Sequence, residues 1–476
     1  MKILFITIFV FACIAYGVTQ NPVFVEDFVN QSHFENASFS IYAIDLETND
    51  TLISYDIGRS LAPASVQKLF ATAAAIELYK HEYRFKTELT YSGTITTNGI
   101  LDGDIYIIGY GDPTLGSSRF QNHYSNYLEH WVEKMKSLGI KQINGNIIGD
   151  PSEFCYPEIN DKWLWEDIAN HYASPACGLC INDNIYSLYF KTGNTEGAPT
   201  ELLRMEPAIE GYSFTNYVTS SAKGGDQAYI FGGPESNNRI IKGTLPWNNK
   251  SFKIKGIVAN PPLFAAQLLK KDIENAGIKI SGKAKSKAKE DIRPNVTVIN
   301  TLYSPQLKDI IILTNMWSVN LYAEHLGALC SRFRKNNLND APNALKEFWI
   351  SKGMNSKGLV LEDACGLSHF NTINSSHLVF ILKYMYNSDN FEVFKSSLPV
   401  VGISGTLQWY CRRSSAKSNI WAKGGSMKRV RSFAGYASSN SGKNIAFAII
   451  VNNYDCNDYI IKDSFESFFN TMIETL

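Results

Sequence analysis

The sequence predicts an α+β protein in which an antiparallel sheet carries helices on both faces and is interrupted by inserted, β-rich material. Three observations lead there. An Ala/Leu-rich helical stretch, Val66 to Tyr79, is followed by some two hundred residues of short β-like runs punctuated by Gly, Asn, Asp and Pro. Helical patterns then return, and the chain closes on two strand-like segments and a last helix. At 476 residues, 45% hydrophobic and 19% charged, the chain is folded and too long for one ordinary domain.

The elements follow in order. Met1-Lys2 precedes an apolar run, Ile3 to Tyr16, and Ala15-Tyr16-Gly17 has small-x-small character, so residues 1–17 read as a secretory signal. The run falls short of the ~20 residues that a membrane-spanning helix needs. A lipoprotein reading through Val10-Phe11-Ala12-Cys13 stays open behind cleavage near Gly17. Two apolar segments between Ser40 and Tyr55 flank Thr48-Asn49-Asp50 as a hairpin. The Val66–Tyr79 helix carries Leu69, Ala73, Ile76 and Tyr79 at helical spacing.

The β-like runs that come next include Ile105–Ile108, Ile143–Ile148 and Ile185–Phe190. The lysine-rich stretch Lys283–Arg293 is expected to be an exposed connection back to the first domain. Helices are predicted over Pro305–Arg334, Ala341–Lys352 and Ser376–Asn387, strands over Ser432–Ala437 and Ile445–Val451 around Asn440-Ser441-Gly442, and a final helix over Ser464–Leu476. The expected organisation is one domain from residues 22–85 and 286–476, with 86–285 inserted as two nested domains.

Charge and cysteine usage restrict the function. Lys+Arg and Asp+Glu are both 45, so no global field favours nucleic acid. Loss of the signal would remove Cys13 and leave an odd seven of the eight cysteines, which is not a disulfide scaffold. Cys177-Gly178-Leu179-Cys180 has redox or zinc spacing but no second pair to complete a metal site, and reads as two small half-buried residues or a local disulfide. Neither a G-x-S-x-G elbow, an H-E-x-x-H helix nor a P-loop is present. His325 and His369 read as structural hydrogen-bonding groups.

A serine becomes a nucleophile only when a base stands beside it. In Ser65-Val66-Gln67-Lys68 the i, i+3 spacing puts the amine on the face of the hydroxyl, and the helix start offers free N–H groups to an oxyanion. S-x-x-K occurs four times, at Ser65, Ser220, Ser286 and Ser414, and only Ser65 opens a strong helix.

These residues resemble the D-alanyl-D-alanine carboxypeptidase/endopeptidase family of low-molecular-mass penicillin-binding proteins, peptidase family S13. Pro63–Leu69 is similar to its nucleophile box, Ser318-Val319-Asn320 through Glu324 to its S-x-N segment, and Lys423-Gly424-Gly425-Ser426-Met427 to its K-T-G box. Leu398–Gly402 with Gly405-Thr406-Leu407, Gly109–Leu115, Trp163–Asp167 and the loop Asp363–Ser368 also resemble family segments. Literal Ser388-Asp389-Asn390 and Lys191-Thr192-Gly193 match the usual motifs better but stand in the wrong order.

The resemblance implies a penicillin-binding/β-lactamase-like transpeptidase domain and cleavage of peptidoglycan stem peptides through a Ser65 acyl-enzyme, which β-lactams also form. It implies Ser65, Lys68 and Ser318 as catalytic residues and Asn320, Lys423 and Ser426 as substrate-binding ones, with an oxyanion hole from the Ser65 and Ser426 N–H groups. No cofactor, metal or nucleic-acid partner is expected, and the secretory signal predicts a periplasmic location with room for peripheral membrane or cell-wall association. Gly424 replaces the family's hydroxyl, which helps hold the substrate carboxylate, leaving Ser426, a water or weaker binding in its place. A β-lactamase or esterase on the same scaffold, or an impaired cell-wall binding protein, are the alternatives.

Overall fold

The structure, a computed structural model, describes residues 21–335 and 340–476. The N-terminal apolar run with Cys13 lies outside the described residues. Five strands form a fully antiparallel sheet in the spatial order Ile420–Met427, Val430–Ser438, Asn444–Asn452, Ser38–Asp45, Thr51–Tyr55. Its outer strands come from both ends of the chain, which is why the sheet closes only after the insertion has been made.

Alternation along the strands divides the two faces. Phe39, Ile41, Phe447, Ile449 and Val451 point to a core shared with the terminal helices Val23–Val29 and Asp458–Thr475. The opposite face carries Ala434, Ala446, Ala448 and Ile450 in a second core. Alanines there let the helix Ser375–Tyr386 lie close to the strand Asn444–Asn452. A buried Ser40–Ser375 hydroxyl pair at 2.9 Å and the Ser375 N–H donating to Ser40 Oγ fix its start.

In the middle of this second core runs the helix Lys68–Tyr79, whose residues from Lys68 to Ile76 are all buried. An all-round buried helix needs neighbours on every side. They are the helices Leu307–Trp317, Asn320–Lys335, Ala341–Ser351 and Ser375–Tyr386. Trp349 Nε1 donates to the Phe70 carbonyl at 3.1 Å.

Several expectations need correction. The last helix begins at Asp458, not Ser464, because the Asn457 side chain caps it by accepting from the Tyr459 and Ile460 N–H groups. Lys283–Arg293 is not simply an exposed connection. Ala284–Ser286 pairs with Ile147–Gly149, and Arg293 forms ion pairs with Asp150 and Glu153. Thr297–Tyr303, beyond the expected boundary at 285, is a strand that pairs with Lys86–Tyr91.

The inserted region holds two mixed sheets, ordered Ala284–Ser286, Ile147–Asp150, Ile105–Gly109, Lys86–Tyr91, Thr297–Tyr303 and Lys279–Ile280, Gln142–Ile143, Ile100–Asp102, Thr94–Ile95. It also holds two three-stranded sheets drawn from residues 185–257. Helices Tyr127–Ser137 and Pro261–Asn275 accompany them, the latter capped by Asn260 and packed on Ile147–Asp150, so the region is not only β-rich.

The alanine face yields a test of the packing. Ala448→Leu is expected to overpack the contact with helix Ser375–Tyr386 and cost about 1–3 kcal/mol. A thermal melt should show a lowered midpoint, and an unchanged midpoint would refute the close approach.

Candidate active site

Pro63 leads into a 3₁₀ turn, Ala64–Gln67, before the α-helix starts at Lys68. In a 3₁₀ turn residues i and i+3 eclipse, so this turn brings Lys68 onto Ser65 more directly than an α-turn would. Lys68 Nζ donates to Ser65 Oγ at 2.9 Å, to Asn320 Oδ1 at 2.6 Å and to the Cys365 carbonyl at 2.7 Å. Ser65 keeps part of its surface exposed while Lys68 has none.

Asn320 and Ser318 come from a break between two helices. Ser318 takes a left-handed conformation, φ 59°, as it closes the helix Leu307–Trp317, and the next helix starts at Asn320. The break turns both side chains toward Ser65. Asn320 Nδ2 donates to the Tyr172 carbonyl at 2.8 Å, which fixes its amide so that Oδ1 faces Lys68.

On the opposite wall the strand Ile420–Met427 passes beside the turn. A Cβ on Gly425 would stand 2.9 Å from the Ser65 nitrogen, an approach that only glycine permits. Ser432 Oγ donates to the Pro63 carbonyl at 2.5 Å and ties the neighbouring strand to the same turn. Lys423 Nζ donates to Ser318 Oγ at 3.0 Å and to the Gly424 carbonyl at 2.5 Å.

The two lysines are fully buried. Burial lowers the Lys68 pKa, against the opposing pull of Cys365, Asp363 and Glu324. Lys423 lies well below its usual range through burial and then through the nearby Lys68 charge. Burial, with Asp363 beside it, pushes Glu324 up to about 7. The two lysine shifts favour neutral amines beside the Ser65 and Ser318 hydroxyls.

The loop Asp363–Ser368 supplies the floor. The Asp363 carboxylate accepts from the Gly366 and Ser368 N–H groups at 2.7 Å, from Trp163 Nε1 at 2.8 Å and from Asn371 Nδ2 at 3.0 Å. Gln67 Nε2 donates to the Asp363 carbonyl at 2.5 Å. A Cβ on Gly366, φ 82°, would meet the Ala64 carbonyl at 2.0 Å, so the loop presses directly on the turn that carries Ser65. Glu324 Oε1 accepts from the Ala364 and Cys365 N–H groups. Among the described residues Glu324, Asp363 and Cys365 are the grouping close enough to share a metal ion, yet both Asp363 carboxylate oxygens and Glu324 Oε1 already accept the bonds just given, and Lys68 Nζ lies against the same loop.

The structure thus brings together Ser65, Lys68, Ser318, Asn320 and Lys423. Ser426 is exposed and lines the same cleft of about 950 Å³, together with Tyr172, Tyr229, Glu166 and His369. The Cys365 and Tyr172 carbonyls, Glu324 and Gln67 are participants that side-chain motifs did not single out.

The competing strings lie elsewhere. Ser388 and Asn390 both donate to Glu77, and Thr192 donates to the Pro246 carbonyl inside the inserted region. Ser220 accepts from the Gly193 N–H within a strand. Cys177 and Cys180 are fully buried free thiols packed on His325, whose Nδ1 faces the Leu321 carbonyl.

Comparisons with known proteins agree with this architecture. The D-alanyl-D-alanine carboxypeptidase of Actinomadura sp. (strain R39) is 27% identical over 435 residues, covering 88% of this chain and 78% of the relative. The crystal structure of penicillin binding protein 4 (dacB) from Haemophilus influenzae superimposes with a TM-score of 0.81 at 23% identity, covering 94% of this chain and 99% of the other. The same protein complexed with a novel β-lactam gives 0.76 at 21% identity, covering 94% and 99%. The sequence profile of the D-Ala-D-Ala carboxypeptidase 3 (S13) family matches residues 23–466, and the chain belongs to that family.

Proposed function

We propose that this chain is a serine D-Ala-D-Ala carboxypeptidase acting on peptidoglycan stem peptides, with Ser65 as nucleophile and Lys68 as its base. The observation that carries this is a fully buried lysine amine 2.9 Å from a cleft-facing serine hydroxyl. A neutral Lys68 accepts the Ser65 proton as Oγ bonds to the penultimate D-Ala carbonyl carbon. The Ser65 N–H, and that of Ser426 on the strand running beside it, meet the oxyanion. As the C–N bond breaks, the leaving D-Ala amine takes a proton through Ser318, which Lys423 holds by its hydroxyl. Water then hydrolyses the ester and regenerates Ser65. Asn320, fixed between Lys68 and Tyr172, orients the substrate amide.

The substrate dictates the compartment. Peptidoglycan lies outside the cytoplasmic membrane, which agrees with reading residues 1–17 as a secretory signal and with a periplasmic location, peripheral to the membrane or cell wall. No helix among the described residues is long and apolar enough to cross a membrane. Endopeptidase action on cross-links belongs to the same chemistry, since only the leaving amine differs.

Mass spectrometry with benzylpenicillin tests the nucleophile. The intact protein is expected to gain one penicilloyl group that persists, and Ser65→Ala none. Rapid release would favour a β-lactamase on this scaffold, and no adduct with the intact protein an impaired cell-wall binding protein.

The buried amine predicts the pH dependence. Acylation requires neutral Lys68, so its rate should rise with pH and level off below the ordinary lysine value of about 10.4. Glu324, once ionised above about 7, holds the Lys68 pKa up. Glu324→Gln should therefore move the midpoint of the pH–rate curve to lower pH, and a shift upward would contradict the assignment. Lys68→Met should slow acylation by about 10²–10⁴.

A further inference from the structure

By its resemblance to the K-T-G box, the Lys423–Met427 segment has Gly424, without a side chain, where a hydroxyl is expected to meet the substrate carboxylate. Residues 424 and 426 share one face of their strand, and they pair across the ladder with Phe433 and Arg431. Cross-strand partners stand side by side, so Arg431 rises from the face onto which a side chain at 424 would project. A second cavity of about 240 Å³ opens there, lined by Ser65, Ser318, Thr406, Gly424, Ser426 and Arg431. It joins the nucleophile to a guanidinium.

The bonding of Arg431 leaves capacity for a ligand. Nη2 donates to Asp458 at 2.9 Å, but that carboxylate is 90% exposed and the pair is a surface contact of little strength. Arg431 itself is only 14% exposed, and its Nε is buried without a hydrogen-bond partner. A buried, unsatisfied donor is costly to the free protein and gains most when an acceptor arrives. The guanidinium fork matches a carboxylate with two parallel N–H groups, a geometry that lysine and hydroxyl groups lack.

We propose that Arg431, with the Thr406 hydroxyl in the same cavity, binds the terminal carboxylate of the substrate in place of the hydroxyl that Gly424 removes. The inference rests on the Ser65 acyl-enzyme reading and deepens it. Arg431 forms no bond that the reaction breaks. It holds the leaving residue so that the scissile carbonyl faces Ser65, and it makes the free acid the preferred substrate.

The test compares one peptide ending in D-Ala-D-Ala as its free acid and as its C-terminal amide. In the intact protein the free acid should be preferred by about 10- to 100-fold in kcat/KM, as a charge-assisted bond provides. Arg431→Ala should lose that preference, mainly through KM on the free acid, and change the amide rate less than about threefold. Arg431→Lys should keep part of it and serves where the alanine variant does not fold. Adding Gly424→Thr to Arg431→Ala should restore part of the preference; the nearest atoms to a Cβ at 424 belong to the Phe433 and Leu407 side chains, at 3.3 and 3.4 Å, which have to give by a few tenths of an ångström.

An equal fall on both peptides, or no change on either, overturns the proposal. So does a matching loss in Asp458→Asn, which would mean that Arg431 acts only by its surface ion pair. If the intact protein is labelled at Ser65 by benzylpenicillin while these results appear, the carboxylate assignment alone is wrong. If it is neither labelled nor active, the acyl-enzyme reading fails and this inference with it.

Discussion

Two lysine amines without solvent exposure, Lys68 and Lys423, set the terms for the rest of the site. A buried ammonium is stable only among acceptors, and otherwise gives up its proton. Lys68 has three oxygen partners and buried carboxyls nearby, which hold its pKa up against burial. Lys423 has a hydroxyl and one carbonyl, and the Lys68 charge adds to its desolvation. The difference is useful. The amine with fewer acceptors favours the neutral state more strongly, while the one with more acceptors can receive a proton from Ser65 without being stranded.

That arrangement needs backbone from distant parts of the chain held within a hydrogen bond of one another. Asp363 does much of the holding, because its carboxylate and carbonyl gather groups from Trp163, Gln67, Gly366, Ser368 and Asn371. Trp163 belongs to the inserted region, as does the Tyr172 carbonyl that fixes Asn320, and Asn160 donates to the Glu362 carbonyl at 2.6 Å. The insertion is therefore part of the site: it sets the Asn320 amide, buttresses the loop beneath Lys68 and forms one wall of the cleft. Loss of these contacts would free Asn320 to turn its amide and remove an acceptor from Lys68.

Much of this was legible in residue order. The Ser65 helix, the hairpin and the C-terminal strands announce themselves by periodicity, and Ser65 separates from three identical strings by the helix behind it. Backbone carbonyls do not announce themselves. Cys365 and Tyr172 contribute main-chain oxygens, for which side-chain identity carries no signal. The strand Thr297–Tyr303 escaped assignment because its partner, Lys86–Tyr91, lies some two hundred residues earlier and its own residues are all partly or well exposed. The early start of the last helix depends on a single cap, Asn457, which composition alone cannot separate from a loop asparagine.

Gly424 and Gly425 show how a weak feature in sequence becomes intelligible in the fold. Successive glycines weaken a strand, yet the ladder to Val430–Ser438 runs without a break from Ile420 to Met427. Gly425 is required by the Ser432 hydroxyl, the Pro63 carbonyl and the Ser65 nitrogen beside it, whereas the nearest atoms to a Cβ at Gly424 would be side-chain atoms of Phe433 and Leu407, at 3.3 and 3.4 Å. Gly425 is thus a demand of the geometry and Gly424 a choice of chemistry. A hydroxyl at 424 would be a neutral donor on a short side chain. Arg431, across the ladder from Ser426, reaches the same cavity with a permanent charge and a fork of donors. Because cross-strand neighbours share a face, anion recognition can pass from one strand to the next without moving Lys423, Ser318 or Ser65, and the buried lysine pair stays undisturbed by the exchange.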